Sequence, residues 1–438
     1  MKAQLPQKSS EDLFRSRLDN QINMRHPLVQ LTSLIDWEAL EVSFSGYFPS
    51  ERGRPALPSR LVAGLLYLQH AFDQSDEQVV ANWVENPYWQ YFTGEIYLQT
   101  EAPVDPSSLT RWRQRLGQEG VERLLKESIE AAVRGKAVKA SSMQKVIADT
   151  TVMEKAIAYP TDAKLLNRAR ELMVKEAQRL GIGLRQNYNR ECPRLAIQAG
   201  RYAHAKQYQR MRQALKALRT RVGRVYRDIE RQLSQVKEAH RPKLLELLQR
   251  VERVLTQQRS DKNKLYALHA PEVECISKGK ARNRFEFGTK VSLISTLKEG
   301  LIIGAQAMPG NPYDGHTLSP ALIQTQRLTG ILPEKVVVDK GYKGVKIEGV
   351  SIYRSGQKRG ITRGIKAMIK RRSAIEPIIG HMKAEGKLDR NWLKGATGDM
   401  INAILCGAGR NIRLILKKLR LFCTFLLLLF FVDRANAR

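Results

Sequence analysis

Two short apolar runs, each closed by an aspartate, constrain this chain more than any other feature. Val146-Ile147-Ala148-Asp149 and Val336-Val337-Val338-Asp339 are rich in β-branched residues and do not alternate with polar ones. That pattern suits strands buried on both faces. A strand ending in Asp projects a carboxylate at the edge of a sheet, where α/β proteins place their chemistry. Side by side, two such strands would bring both acids together. Like charges that close repel, so the pair would need cations. Mg²⁺ suits: it is hard, keeps its waters, and takes one or two carboxylates plus phosphate oxygens. Two ions roughly 3.5–4 Å apart would activate a nucleophile and stabilise a leaving oxygen. The plainer alternative is that each Asp merely closes a strand into a turn.

The sequence around these strands divides into five stretches. Residues 1–135 are expected to be helical. Arg60 to Phe72 has apolar residues at helical spacing. Asp76 opens a second segment that runs through Phe92, and Asp105-Pro106 starts a third helix. That helix carries Arg111, Arg113 and Arg115 beside Trp112. Short helices ending in a basic one suit a helix-turn-helix-like DNA binder, and equally an all-helical dimerisation domain. Residues 136–160 hold the first strand, Lys145 to Thr151, with Ala156 to Tyr159 as a candidate second strand. Residues 161–270 form a basic helical stretch. Leu215, Leu218, Val222, Val225 and Ile229 recur at spacings of three and four, as one helix face requires. The opposite face is basic, and is either simply solvated or in contact with phosphates. Residues 271–400 resume the α/β pattern. Strands are expected at Thr289–Leu297 and Leu301–Met308 around a Lys298-Glu299-Gly300 turn, followed by a helix from His316 to Leu328. The order strand, insert, hairpin, helix, strand, helix indicates an α/β domain interrupted by helices. Residues 401–438 end in Leu-Arg-Leu-Phe-Cys-Thr-Phe-Leu-Leu-Leu-Leu-Phe-Phe-Val, from Leu419. This run is shorter than the ~18 residues of a spanning helix. It reads as a terminal helix packed on the protein rather than a membrane anchor, although the nearby Lys417, Lys418 and Arg420 would also suit an interfacial helix.

The net charge is +31. That far exceeds the magnitude of roughly 2–8 that keeps a small domain soluble, so a polyanionic partner, nucleic acid first, is expected. The four cysteines, Cys192, Cys275, Cys406 and Cys423, form no C-x-x-C pair and no zinc-finger spacing with a histidine. A disulfide framework is not expected, and with no signal-peptide core at the N-terminus a reducing cytoplasm fits. No Walker-type glycine loop is present, which argues against an ATP requirement.

The third candidate acid is Glu376, in Arg371-Arg372-Ser373-Ala374-Ile375-Glu376-Pro377. Arg372, Glu376 and Lys383 are spaced i, i+4, i+11 and share one face of a helix. A carboxylate between two cations can bind a metal while its neighbours contact phosphate. Pro377 would break a helix interior, so a helix beginning here with Ser373-x-x-Glu376 as a capping box is the alternative. Glu385 and Asp389 are substitutes for the third acid. His316 and His381 lie near the acid blocks, as structural histidines or as phosphate or proton-transfer groups.

At these residues the chain resembles the DDE transposases of bacterial insertion sequences, most nearly the IS-five-like group, related to the IS-four group. The block from Arg52 to Phe72 resembles their N-terminal domain. The stretch around Asp149 resembles their first-Asp block. Pro-Gly-Asn-Pro-Tyr-Asp-Gly-His-Thr-Leu from Pro309, with Val-Val-Val-Asp-Lys-Gly-Tyr-Lys-Gly, resembles the second. Arg372, Glu376 and Lys383 match the family's Y-x2-R-x3-E-x6-K block, with Ile369 where the tyrosine stands. The resemblance implies an RNase H-like mixed sheet with flanking helices, on which Asp149, Asp339 and Glu376 converge as catalytic metal ligands. It implies Mg²⁺ or Mn²⁺, two ions, and phosphoryl transfer in two steps, end cleavage by water and attack of the freed 3′-OH on target DNA. Partners would be the element's terminal inverted repeats and target DNA, bound by at least a homodimer in the nucleoid. The competing readings are another RNase H-like nuclease and a non-catalytic DNA-binding remnant of a transposase.

Overall fold

The computed structural model describes residues 15–47, 57–277 and 284–436, with side chains up to Leu421. The N-terminal fourteen residues, Arg52 to Ala56 of the N-terminal block, and the side chains of most of the C-terminal apolar run, Cys423 among them, lie outside that description. The described chain forms two compact units: residues 1–154 with 290–438, and residues 155–289.

The first unit begins with seven helices: α1 (Leu18–Gln21), α2 (Pro27–Leu34), α3 (Trp37–Ser45), α4 (Ser59–Ala71), α5 (Asp76–Glu85), α6 (Pro87–Thr93) and α7 (Ser107–Arg134). The segment that opens at Asp76 forms two helices, because Asn86 leaves α5 before Pro87 and caps α6, its side chain accepting from the backbone N–H groups of Tyr88 and Trp89. Strand β1 (Lys145–Lys155) follows, and after the insertion come β3 (Phe285–Thr296), β4 (Ile302–Met308), α12 (Asp314–Thr329), β5 (Lys335–Val338), β6 (Ser351–Arg354), α13 (Arg363–Arg371), α14 (Ile375–Glu385), β7 (Arg390–Asn391) and α15 (Gly395–Asn436).

The strands run β4-β3-β1-β5-β6 across the sheet, with β7 added on β1. β3 and β4 are an antiparallel hairpin, whereas β1, β5 and β6 are parallel neighbours. The sheet is therefore mixed, with helices around it, as the α/β, RNase H-like expectation requires. Gly300 makes the hairpin turn at φ +71°, and a Cβ there would also meet Ile378 of α14 at 2.7 Å. The outer edge of β4 is not left bare. Asn411 of α15 exchanges hydrogen bonds with both the N–H (2.9 Å) and C=O (2.8 Å) of Ile302, and Gln324 of α12 does the same at Ala305.

The N-terminal helices do not form a separate body. One core runs from Leu28 through Leu66, Trp83 and Leu124 to Val146, Ile303, Val338 and Leu405. Helix α15 supplies much of it, packing along α7, α4 and β4. The end of α7 near residue 135 is thus a chain landmark and not an edge of packing. Helix α15 also carries the C-terminal apolar run, and among the described residues no helix is long and apolar enough to cross a membrane.

The second unit contains α8 (Asp162–Leu180), α9 (Glu191–His204), α10 (Tyr208–Glu230), α11 (Arg241–Thr256) and β2 (Glu274–Ser277), which pairs antiparallel with the first residues of β3. Residues 156–159 form no strand. The predicted apolar face of α10 is buried at Leu218, Val222, Val225 and Ile229, against a core that includes Met173, Leu244 and Val251. Arg210, Arg212, Lys216, Arg224 and Arg227 of the same helix are exposed. Cys192, Cys275 and Cys406 are free thiols.

Glu127 of α7 titrates unusually. It accepts from the Asp36 N–H at 2.7 Å and is paired with Arg134, yet burial pushes its carboxyl up to about 7. The native state therefore holds this proton more tightly than the unfolded chain does. Stability is fully present below the unfolded value and falls as pH rises from the ordinary carboxylate range to about 7. Glu127→Gln should flatten that fall. Urea midpoints measured at about pH 5 and about pH 8 should lie closer together in the variant than in the wild type.

Candidate active site

Strands β1 and β5 run parallel in a register that pairs Lys145 with Lys335, Val146 with Val336 and Ile147 with Val337. Continued two residues, the same step puts Asp149 level with Asp339. Asp149 does not end its strand, as the sequence had suggested. It is the fifth of eleven residues, because β1 is a central strand that continues to Lys155. Asp339 does follow directly on the last residue of β5. Along β1 the cover opens at Asp149 and Thr150, which are half-buried between runs of fully buried residues. Both carboxylates are held by backbone. Asp149 Oδ1 accepts from the Thr150 N–H at 2.8 Å, and Asp339 Oδ1 from the Gly341 N–H at 2.7 Å.

Glu376 reaches the same place by a helix start. α13 ends at Arg371, a single 3₁₀ turn covers Arg372–Ala374, and α14 begins at Ile375. Pro377 is therefore in the first turn of α14, where its missing N–H costs no helical bond. The capping box is not formed: Ser373 Oγ donates to the Lys370 carbonyl instead, and the start of α14 has no side-chain cap. Arg371 anchors the turn by donating to the carbonyls of Leu297 (2.7 Å) and Lys298 (2.6 Å) on the β3–β4 hairpin. Its neighbour Arg372 then donates to Asp149 Oδ2 at 2.9 Å and to Glu376 Oε1 at 3.2 Å. One guanidinium thus joins the first and third candidate acids.

Burial raises the Asp149 carboxyl above its ordinary value, Arg372 opposes that, and Asp339 adds to it. Glu376 is much more open, with 63% of its side chain exposed. Among the described residues no three His, Cys, Asp or Glu side chains converge closely enough to grip an ion. The substitutes fall elsewhere. Glu385 pairs with His381 on the exposed side of α14, and Asp389 accepts the Glu154 N–H through its backbone carbonyl. His316 packs edge-on against Tyr313.

Sequence reasoning missed a further acid at this site. Asp314 Oδ1 accepts from Thr150 Oγ1 at 2.9 Å and from Lys290 Nζ at 3.0 Å, and Lys290 also donates to the Pro312 carbonyl. A Cβ on Gly341 would lie 2.9 Å from Asp339 Oδ1 and 3.2 Å from Asp314 Oδ2, so a side chain here would press on both carboxylates where the loop passes them. The Tyr342 phenol, buried beside them, is pushed well above its ordinary value first by burial and further by Asp149, Asp314 and Asp339. The available signal was Lys290, the one lysine of β3, whose partner opens α12 twenty-four residues later.

Residues 16–115 match the family described as Transposase domain (DUF772), and residues 267–406 match the Transposase DDE domain. The chain belongs to the DDE transposases of insertion sequences. It is also similar to an uncharacterized protein, ORF8 of the nfe locus of Rhizobium meliloti, with 48% identity over 208 residues, which is 48% of this chain and all of that protein. No solved structure matches it. The DDE-domain match includes Asp339 and Glu376, whereas Asp149 and most of the insertion lie between the two matched segments.

Of the basic residues expected to meet DNA, Arg113 is corrected. It is 3% exposed and bound to the Asp76 carboxylate and to Gln69 Oε1 (3.1 Å), so it faces the core and not a phosphate. Helical periodicity decides this, since Trp112, Arg113 and Leu116 fall on the buried side of α7. Arg111 and Arg115 are exposed. Lys383 lines a cleft with Lys387 and Arg390. Arg113→Ala should leave Asp76 an unpaired, largely buried charge and lower stability by about 3 kcal/mol, whereas Arg111→Ala should change it by less than about 0.5 kcal/mol. Urea denaturation of the two variants measures both.

Proposed function

We propose that this transposase cuts DNA at the ends of its element and joins the freed 3′ ends to target DNA, with Asp149, Asp339 and Glu376 as the ligands of divalent ions. The observation that carries the reading is the closeness of Asp149 on β1 to Asp339 just past the end of β5, near enough that Asp339 raises the Asp149 carboxyl, with Arg372 linking Asp149 to Glu376. The donor set is all carboxylate oxygen, the chemistry that Mg²⁺ or Mn²⁺ prefers. Two adjacent acids, one of them raised by burial, also gain by a cation.

When bound, the ions stabilise charge on the attacking and leaving oxygens of an in-line displacement. The chain's own groups do the rest. Backbone N–H groups of Thr150 and Gly341 fix the two aspartates, and Lys290 and Thr150 hold Asp314 beside them. Arg372, freed as other cations neutralise its carboxylates, would turn to a phosphate oxygen, with Lys383 further along α14. Water breaks a P–O bond at the element end and leaves a 3′-OH. That hydroxyl then attacks a target phosphodiester, forming one P–O bond as another breaks. No protein nucleophile is consumed. The exposed arginines of α10, with Arg111 and Arg115, would neutralise phosphates, and pairing two ends calls for at least two copies of the chain.

Purified protein should join end DNA to a target plasmid only with Mg²⁺ or Mn²⁺. Asp339→Ala should abolish joining while end binding stays within about threefold, because about 0.6 kcal/mol separates such affinities. A variant as active as the wild type would overturn the assignment. Binding should also weaken by orders of magnitude between about 50 and 200 mM salt if 6–10 phosphates are contacted, and a flat salt response would remove the role given to the arginines of α10.

A further inference from the structure

Trp392 is 71% exposed. Trp83, Trp89 and Trp112 are buried and Trp37 is half-buried, all in the N-terminal helices. The turn that carries Trp392 is nonetheless firmly fixed. β7 pairs with β1, and the Asp389 carbonyl accepts the Glu154 N–H at 3.1 Å. Asn391, 1% exposed, donates to Asp399 Oδ1 at 2.6 Å and accepts from the Leu393 N–H at 2.9 Å. The residue before Trp392 is locked inward, so the indole is held outward. A large aromatic in that position adds little to the core.

Its surroundings carry both signs with cations in excess: Asp73 and Asp389 also line one flanking cleft and Asp76 and Glu77 the other, and Lys387 lies 3.8 Å from the Asp73 carboxylate. Trp392 stands between two clefts, of about 490 and 660 Å³, that share Lys387, Arg390 and Trp392 itself. Lys383 lines the first and Lys394 the second, and the Arg390 guanidinium lies 5.7 Å from the indole centroid. Protein–protein interfaces are depleted in lysine, so three lysines around one tryptophan point away from a protein partner. An aromatic face among cations is the usual device for holding single-stranded nucleic acid. A duplex hides its base faces, so the indole can stack only on a base that is unpaired. The position agrees: Gly380 and Lys383 of the first cleft lie one and two turns along α14 from Glu376. At 1.5 Å per residue, Lys383 is ~10 Å from the third acid, about three stacked nucleotides.

We propose that Trp392, with Lys383, Lys387, Arg390 and Lys394, is a stacking platform for an unpaired base of the DNA strand leading to the acids. It rests on the reading of those acids as the cutting site, but the binding it predicts needs no metal and no cleavage. The test measures binding in EDTA by fluorescence anisotropy, with labelled oligothymidylate and a blunt duplex of the same length as probes. Trp392→Ala should weaken oligothymidylate binding about tenfold, the effect of losing one stacked base, and change duplex binding less than about twofold. Trp392→Phe should restore most of the loss. Oligothymidylate should quench tryptophan fluorescence in the wild type and far less in Trp392→Ala, whose urea midpoint should be unchanged. Equal weakening on both probes, no weakening on either, or an altered oligomer mass by light scattering with intact DNA binding would each overturn the platform. Asp339→Ala, measured alongside, should bind oligothymidylate as the wild type does. Failure of strand joining therefore bears only on the acids, and failure of the Trp392 variants only on the platform.

Discussion

The parallel pairing of β1 with β5 governs the rest of this molecule. Its partners are separated by 190 positions, Lys145 against Lys335, and the same offset separates Asp149 from Asp339. In a parallel pair neighbouring strands lie about 4.8 Å apart, so level residues project their side chains from adjacent positions. A slip of one residue would turn one aspartate to the other face of the sheet. Val146, Ile147, Val336 and Val337 prevent it, because each is fully buried and has no other level at which to pack. The acids are held by the hydrophobic core and not by their own attraction, which is negative.

That repulsion needs an answer in the protein as it stands, and Arg372 supplies it. The guanidinium bonds Asp149 on one side and Glu376 on the other, while Arg371 ties the turn to the β3–β4 hairpin. Breaking a partly buried ion pair by removing one partner leaves the other charge costly. Asp314, with Lys290 and Thr150, extends the charge-balanced network one step beyond the acids.

Much of this was legible in the sequence, and for identifiable reasons. The β-branched runs read as buried strands, the hairpin around Gly300 as a turn, and the apolar face of α10 as a buried stripe, since each depends on local periodicity. Where tertiary context decides, the reading failed. Arg113 looked like its neighbours Arg111 and Arg115, but its side chain falls on the buried side of α7, where Asp76 and Gln69 receive it. Asp149 looked terminal because the polar Asp-Thr-Thr interrupts the apolar run, yet a central strand with partners on both sides continues past it. Ser373 and Glu376 fit a capping box by spacing, but Glu376 is drawn to Arg372 instead. Asp314 was invisible because its partners are far away in the chain.

The sequence by itself determined the strands before Asp149 and Asp339, the hairpin around Gly300, the basic character and the helical insertion, because residue type and short-range spacing carry that information. Only the tertiary structure decided which groups meet. It set Asp149 level with Asp339, gave Arg372 to two carboxylates, withdrew Arg113 into the core, joined the N-terminal helices to the sheet through α15, and turned Trp392 outward on a fixed turn. Those outcomes depend on burial and on pairings between distant residues, and no local pattern encodes which distant partner is closest once the core has formed.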